Sequence, residues 1–174
     1  MIEAVEPTLK YLNKIRNKIK FPVWLNADAV LGPGGTEETV NGKRFIELAD
    51  EFCPSMTLSL GFSYLSPDPL KTPLTEKMVK EMYDLVKYTK QNVTFAINVA
   101  MFASSISPVR WLIKQDPERF SITLWTSMAG QNWQGADPTA ICNVRKEFLK
   151  KQIFYDLSIH QDPWQQFLVL CGRL

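Results

Sequence analysis

Phe21-Pro22-Val23-Trp24-Leu25-Asn26-Ala27, followed at once by Asp28, decides how the rest of the chain is read. It is a short run of aromatic and aliphatic residues, and a glycine-rich stretch, Gly32-Pro33-Gly34-Gly35, soon follows it. Such a run closed by a turn signal predicts a β-strand. Four more runs of the same character lie at Met56–Phe62, Val93–Val99, Ser121–Thr126 and Gln152–Ser158, their starts 35, 37, 28 and 31 residues apart. Amphipathic helical patterns fill the intervals. Strands alternating with helices at this spacing predict an α/β chain with a mainly parallel sheet.

The helices are read from apolar spacing and start signals. Leu9, Leu12, Ile15 and Ile19 recur at three and four, with Pro7 placed near the first turn, where its missing N–H costs nothing. Phe45, Leu48, Ala49 and Phe52 follow Asn41-Gly42, and Met78, Met82, Leu85 and Val86 follow a start at Thr72-Pro73 or Thr75. Ser107-Pro108, Asp137-Pro138 and Asp162-Pro163 each set a side-chain acceptor before a proline at the first helical position. Six helices around five strands with no Gly/Ser-rich or Pro-rich linker predict one domain over residues 1–174.

Composition narrows the function classes. The 174 residues carry 20 Lys+Arg against 18 Asp+Glu, a net charge of +2, and 45% are hydrophobic. That balance leaves no electrostatic footprint for nucleic acid, and the lysines from Lys10 to Lys20 read as a solvated helix face. No apolar run approaches the roughly 18 residues of a membrane span, and the start lacks the apolar core of a signal peptide. Cys53, Cys142 and Cys171 are too dispersed for a clustered zinc site and too few to pair completely, so buried free thiols are expected. His160 is the one histidine, which builds neither a histidine-rich metal centre nor a triad. Ser104, Ser105 and Ser107 have no histidine near them in sequence, and Gly32–Gly35 lacks the spacing of a phosphate loop. Asn92-Val93-Thr94 matches the glycosylation sequon, making Asn92 a candidate acceptor.

The candidate ligand-binding residues are Asn26, Asp28, Asn98, Trp125 and Asp156. Asn26 and Asp28 stand two apart on a strand and share one of its faces. A carboxylate beside a carboxamide suits a hydroxyl or helps to hold a cation, although two side chains fall short of a divalent site. A capped turn accounts for Asp28 equally well. Asn98, Trp125 and Asp156 fall near the ends of the third, fourth and fifth runs, where a barrel-top site gathers its residues. Each also has an ordinary role open to it: a hydrogen-bonded strand end, half-buried packing, or a cap. Trp111, Trp133 and Trp164 read as helix packing or partly exposed loop.

Pro22-Val23-Trp24-Leu25-Asn26-Ala27-Asp28 with Leu31-Gly32-Pro33 resembles the signature of the menorin family, which is distantly similar to glycerophosphodiester phosphodiesterase-type (β/α)8 barrels. The likeness continues in order through Thr57-Leu58-Ser59-Leu60-Gly61, Met78-Val79-Lys80-Glu81-Met82, Val93-Thr94-Phe95, Ser121-Ile122-Thr123-Leu124-Trp125 and Gln152-Ile153-Phe154-Tyr155-Asp156. It implies a partial TIM-type barrel, its five parallel strands being the fourth to eighth units. Eight units at this spacing need about 260 residues, near the usual barrel size.

The family's earlier strands, with a histidine and a Glu-x-Asp strand end that resembles metal ligands, have no counterpart here; Glu3 is followed two residues on by Val5. Three departures stand within the matched part: Gly61-Phe62 in place of Gly-Trp, Asn98 in place of an arginine, and Ile159 in place of an acidic residue. Losing the arginine weakens anion binding at the mouth.

The resemblance thus implies a non-catalytic extracellular or cell-surface interaction protein with no cofactor and a protein partner, or a homodimer formed through exposed sheet edges. The alternative is a divalent-cation-dependent hydrolase of a phosphodiester or phospholipid head group, with its missing strands supplied.

Overall fold

The computed structural model describes residues 2–35, 40–63, 72–126 and 138–157; the side chains of residues 2, 138, 140 and 144 lie outside the description. Five strands form one sheet: β1 (Trp24–Leu31), β2 (Thr57–Ser63), β3 (Val93–Asn98), β4 (Phe120–Trp125) and β5 (Ile153–Asp156). Six α-helices accompany them: α1 (Ile2–Ile15), α2 (Gly42–Phe52), α3 (Glu76–Val86), α4 (Val99–Phe102), α5 (Ile106–Lys114) and α6 (Pro138–Arg145). The strands lie side by side in chain order and every pairing is parallel. Right-handed crossovers between strands laid down in sequence place all the connecting helices on one face. No described helix covers the other face, which is the arrangement of a barrel wall and not of a doubly wound sheet.

Burial follows from that topology. On the helix-covered face Leu58, Leu60, Phe95, Ile97, Ile122 and Leu124 are at most 1% exposed, and Met82, Val86, Val109 and Leu112 of α3 and α5 seal them. The helices begin where side-chain acceptors allow: Asn41 Oδ1 accepts from Arg44 N at 2.9 Å, and Thr75 Oγ1 accepts from Met78 N at 3.3 Å.

At the amino ends of the strands, buried Gln91 donates from Nε2 to the carbonyls of Cys53 and Met56 at 3.0 and 2.7 Å. Arg119 links Asp116 Oδ2, at 2.6 Å, to the carbonyls of Thr89 and Gln91. These bonds satisfy carbonyls that the sheet leaves over, so this end is a stabilising base.

The sheet does not close, yet it curves strongly. Trp24 of β1 and Phe154 of β5 meet edge to face with ring centroids 5.2 Å apart. Inward side chains of strands four places apart meet like this in an eight-stranded barrel, whose interior is just wide enough for them to fill. The five strands therefore keep the curvature of a partial eight-stranded wall.

Several sequence expectations shift. The first strand begins at Trp24, because Phe21 is 71% exposed and precedes the pairing, and it runs on through Asp28 to Leu31. Pro7 lies inside α1, which starts earlier, at Ile2. Pro108 is the third residue of α5, still within the turn whose N–H groups lack intrahelical partners. The short α4 was not foreseen; Asn98 starts it directly at the strand end. Cys53 is a buried free thiol, as expected, but Cys142 is disulfide-bonded. Asp137, Trp133, His160, the Asp162-Pro163 helix, Trp164 and Cys171 lie outside the described residues.

Candidate functional site

Strand register arranges the bare face in rows. Asn26, Ser59, Thr94 and Ser121 are successive partners in one row; Asp28, Gly61, Ala96, Thr123 and Phe154 form the next. Asn98, Trp125 and Asp156 form a third, nearest the carboxyl ends of the strands. The face is thus built from polar or small residues with aromatic groups at its margins. It encloses a hollow of about 740 Å³ lined by Asn26, Asp28, Ser59, Thr123, Trp125 and Asp156, with Trp24, Ala96, Phe154 and Tyr155 completing the wall. That volume falls within the roughly 300–1,000 Å³ of small-molecule sites.

Four of the five candidate ligand residues, Asn26, Asp28, Trp125 and Asp156, line this one hollow. Asp28 lies over Gly61, its register partner; a β-carbon there would fall inside van der Waals contact with Asp28 Oδ1. Glycine at 61 therefore gives the carboxylate its place. Asp28 keeps an exposed surface toward the hollow, and partial desolvation by the surrounding wall raises its pKa above the usual 3.8. Beside it the Thr94 and Thr123 hydroxyls share a buried hydrogen bond of 2.7 Å. Burial likewise pushes Tyr155 up to about 12, against the opposing effect of Arg145.

Asn98 takes a different position. Its Oδ1 accepts from Ala100 N at 3.0 Å and caps α4, the strand-end hydrogen bond that the sequence left open as its role. The residue is 1% exposed, and its Nδ2 is buried with no hydrogen-bond partner. It stands in register with Trp125 and two residues beyond Ala96, both of which line the hollow.

Asn92 is exposed at the opposite end of the sheet, at a smaller hollow of about 220 Å³ that includes Arg119 and Lys151. Trp111 packs edge to face on Tyr83 at 5.8 Å, the helix-packing role expected of it.

Ser59, Gly61, Thr94 and Thr123 were missed. Their signal was present in Thr57-Leu58-Ser59-Leu60-Gly61, Val93-Thr94-Phe95-Ala96-Ile97 and Ser121-Ile122-Thr123-Leu124, where polar or small residues alternate with large apolar ones.

The chemistry of this lining is hydrogen bonding in both senses together with aromatic contact. None of the described lining residues is basic, and the described residues contain no group of three or more His, Cys, Asp or Glu able to hold a metal ion. Asp28 and Asp156 are the two carboxylates of the described lining, so a divalent cation there would take its remaining oxygen ligands from water or from groups outside that lining.

Fold and hollow together define a segment of an eight-stranded α/β barrel with a polar, ligand-sized inner face. The sequence model of the menorin N-terminal domain matches residues 1–162. Protein FAM151B of Homo sapiens is 34% identical over 157 residues, covering 90% of this chain and 55% of the relative. The chain belongs to the menorin family, and it spans about half the length of that curated relative. No solved structure matches it.

Proposed function

We propose that this domain is a non-catalytic, extracellular interaction module whose open sheet is completed by further polypeptide. The observation that carries the reading is the pair of edges, β1 and β5, that no described strand pairs, on a sheet already curved as part of an eight-stranded barrel. Unpaired parallel edges present rows of backbone donors and acceptors to another strand. Beside the β1 edge an apolar groove of about 350 Å³ runs between α1 and the strand, lined by Val5, Leu9, Leu12, Val23 and Leu25 among others. Three further strands would close eight. A second copy would bring five, so the homodimer is the lesser arrangement, formed when the complement is lacking.

The disulfide at Cys142 supports an oxidising compartment. An Asn92 glycan would agree with it, added before folding, since Thr94 of the sequon is fully buried in the folded chain. No described helix is long and apolar enough to cross a membrane.

The purified chain is expected to self-associate in sedimentation velocity, and a monodisperse monomer at all concentrations would refute the open-edge reading. It is expected not to hydrolyse bis(p-nitrophenyl) phosphate with Mg²⁺ or Ca²⁺. Cation-dependent turnover that disappears in Asp28→Ala would establish the hydrolase alternative instead.

A further inference from the structure

We propose that the amino-terminal end of the strand wall docks on an anionic lipid surface, through basic side chains set around exposed apolar loop tips. The inference rests on no part of the interaction reading: it uses one end of the sheet and leaves the edges to a polypeptide partner.

Parallel pairing brings the five helix-to-strand segments, residues 16–23, 53–56, 87–92, 115–119 and 146–152, to one end of the wall. Together they hold nine basic and three acidic residues, whereas the rest of the chain holds eleven basic and fifteen acidic. The net charge of +2 is thus the balance of a polarised molecule. All three acidic groups of this end are already engaged: Asp116 with Arg119, Glu118 with Lys151, and Glu147 with Arg110. Arg16, Lys18, Lys20, Lys90, Lys146 and Lys150 are exposed and have no salt bridge among the described residues.

Charge alone has an ordinary cause at this end. The helices run against the strands, so their carboxyl ends lie here and favour cations. Exposed apolar groups have no such cause, and they are the second observation. Phe21 is 71% exposed, Tyr88 85% and Leu149 58%. They stand in the first, third and fifth of these segments, three to five residues ahead of their strands. Of the other large exposed hydrophobics described, Trp24 and Phe154 pack on each other across the inner face, which leaves Tyr11 on α1.

Apolar tips among basic groups are the two signals that attachment to a bilayer surface combines. The tips enter the interface while the ammonium and guanidinium groups meet lipid headgroups. A sulfated glycan or an RNA would use the charge but gain nothing from Leu149.

The test uses the full chain made without glycan, because Asn92 lies at the same end. Cosedimentation is measured with phosphatidylcholine vesicles and with vesicles of about one-third phosphatidylserine; a vesicle-free pellet reports self-association separately. Binding to the phosphatidylserine vesicles is expected, weakening as salt is raised, with at least about tenfold less affinity for phosphatidylcholine alone. Phe21→Ser, Tyr88→Ser and Leu149→Ser combined should weaken it about tenfold or more, and so should Lys18→Gln with Lys20→Gln. All five positions are exposed, so both variants should keep the thermal melt of the parent. Heparin and a single-stranded RNA serve as the opposing polyanions. No binding to phosphatidylserine vesicles, with or without retention on heparin or RNA, would overturn the inference. So would equal binding to both vesicle types, or vesicle binding unchanged in the serine variant.

Discussion

On the helix-covered face of the sheet, Leu58, Leu60, Phe95 and Ile122 have no exposed surface, whereas Asn26 and Asp156 on the opposite face stand open to solvent and Asp28 keeps an exposed edge beside the wall that partly desolvates it. The two sets alternate along the same strands. Parallel sheets usually have both faces covered and read as unbroken apolar runs. Alternation here means that the described helices meet one face, while the other is the inner surface of a barrel wall, furnished with small polar groups. The first face specifies the fold and the second is free to hold a ligand.

The contrast can be broken from either side. Phe95→Ala, on the sealed face, should cost about 3–5 kcal/mol in urea unfolding, the range for a buried aromatic truncated to alanine. A cost below about 1 kcal/mol would show that this face is not the core.

Thr94→Val alone should cost about 1–3 kcal/mol because it strands the Thr123 hydroxyl. Thr94→Val with Thr123→Val should recover much of that loss. Additive costs in the double-mutant cycle would show that the hydroxyl pair is not coupled.

Gly61→Ala pushes a methyl group against the Asp28 carboxylate and should destabilise by about 1–3 kcal/mol. In an Asp28→Ala background the same change should be neutral or slightly stabilising. An unchanged cost there would place the strain elsewhere than at Asp28.

The smallest effect is electrostatic. The folded-state pKa of Asp28 is raised, so burial disfavours its ionised form. The folded protein loses stability as pH rises from the unfolded value of 3.8 through that higher pKa. Asp28→Asn should therefore raise Tm at neutral pH, and the gain should vanish as pH falls below 3.8. A gain that is independent of pH would contradict the assignment to ionisation.

The strands and most helices were legible because burial imposes a period on sequence: two along Val93-Thr94-Phe95-Ala96-Ile97, three and four along Met78, Met82, Leu85 and Val86. Boundaries were less so. Nothing local distinguishes Phe21, which stays in water, from Trp24, which pairs and meets Phe154 across the interior. Candidate residues at strand ends were found by chemistry, being Asn, Asp and Trp. Gly61 and Ala96 were not, because their contribution is the space they leave, and space is a property of neighbours in register. Asn98 shows the mixture: its cap is a local event, while its unpartnered Nδ2 is visible only in the packed wall.

Cysteine labelling tests the two-faced wall most directly. Asn26→Cys and Asp156→Cys should react with maleimide in the folded protein within minutes, against the background of the parent chain, whose Cys53 is buried. Leu60→Cys and Phe95→Cys should react only on unfolding. If Asn26→Cys and Asp156→Cys resist the reagent as strongly as Leu60→Cys does, the inner face is covered and the account is wrong.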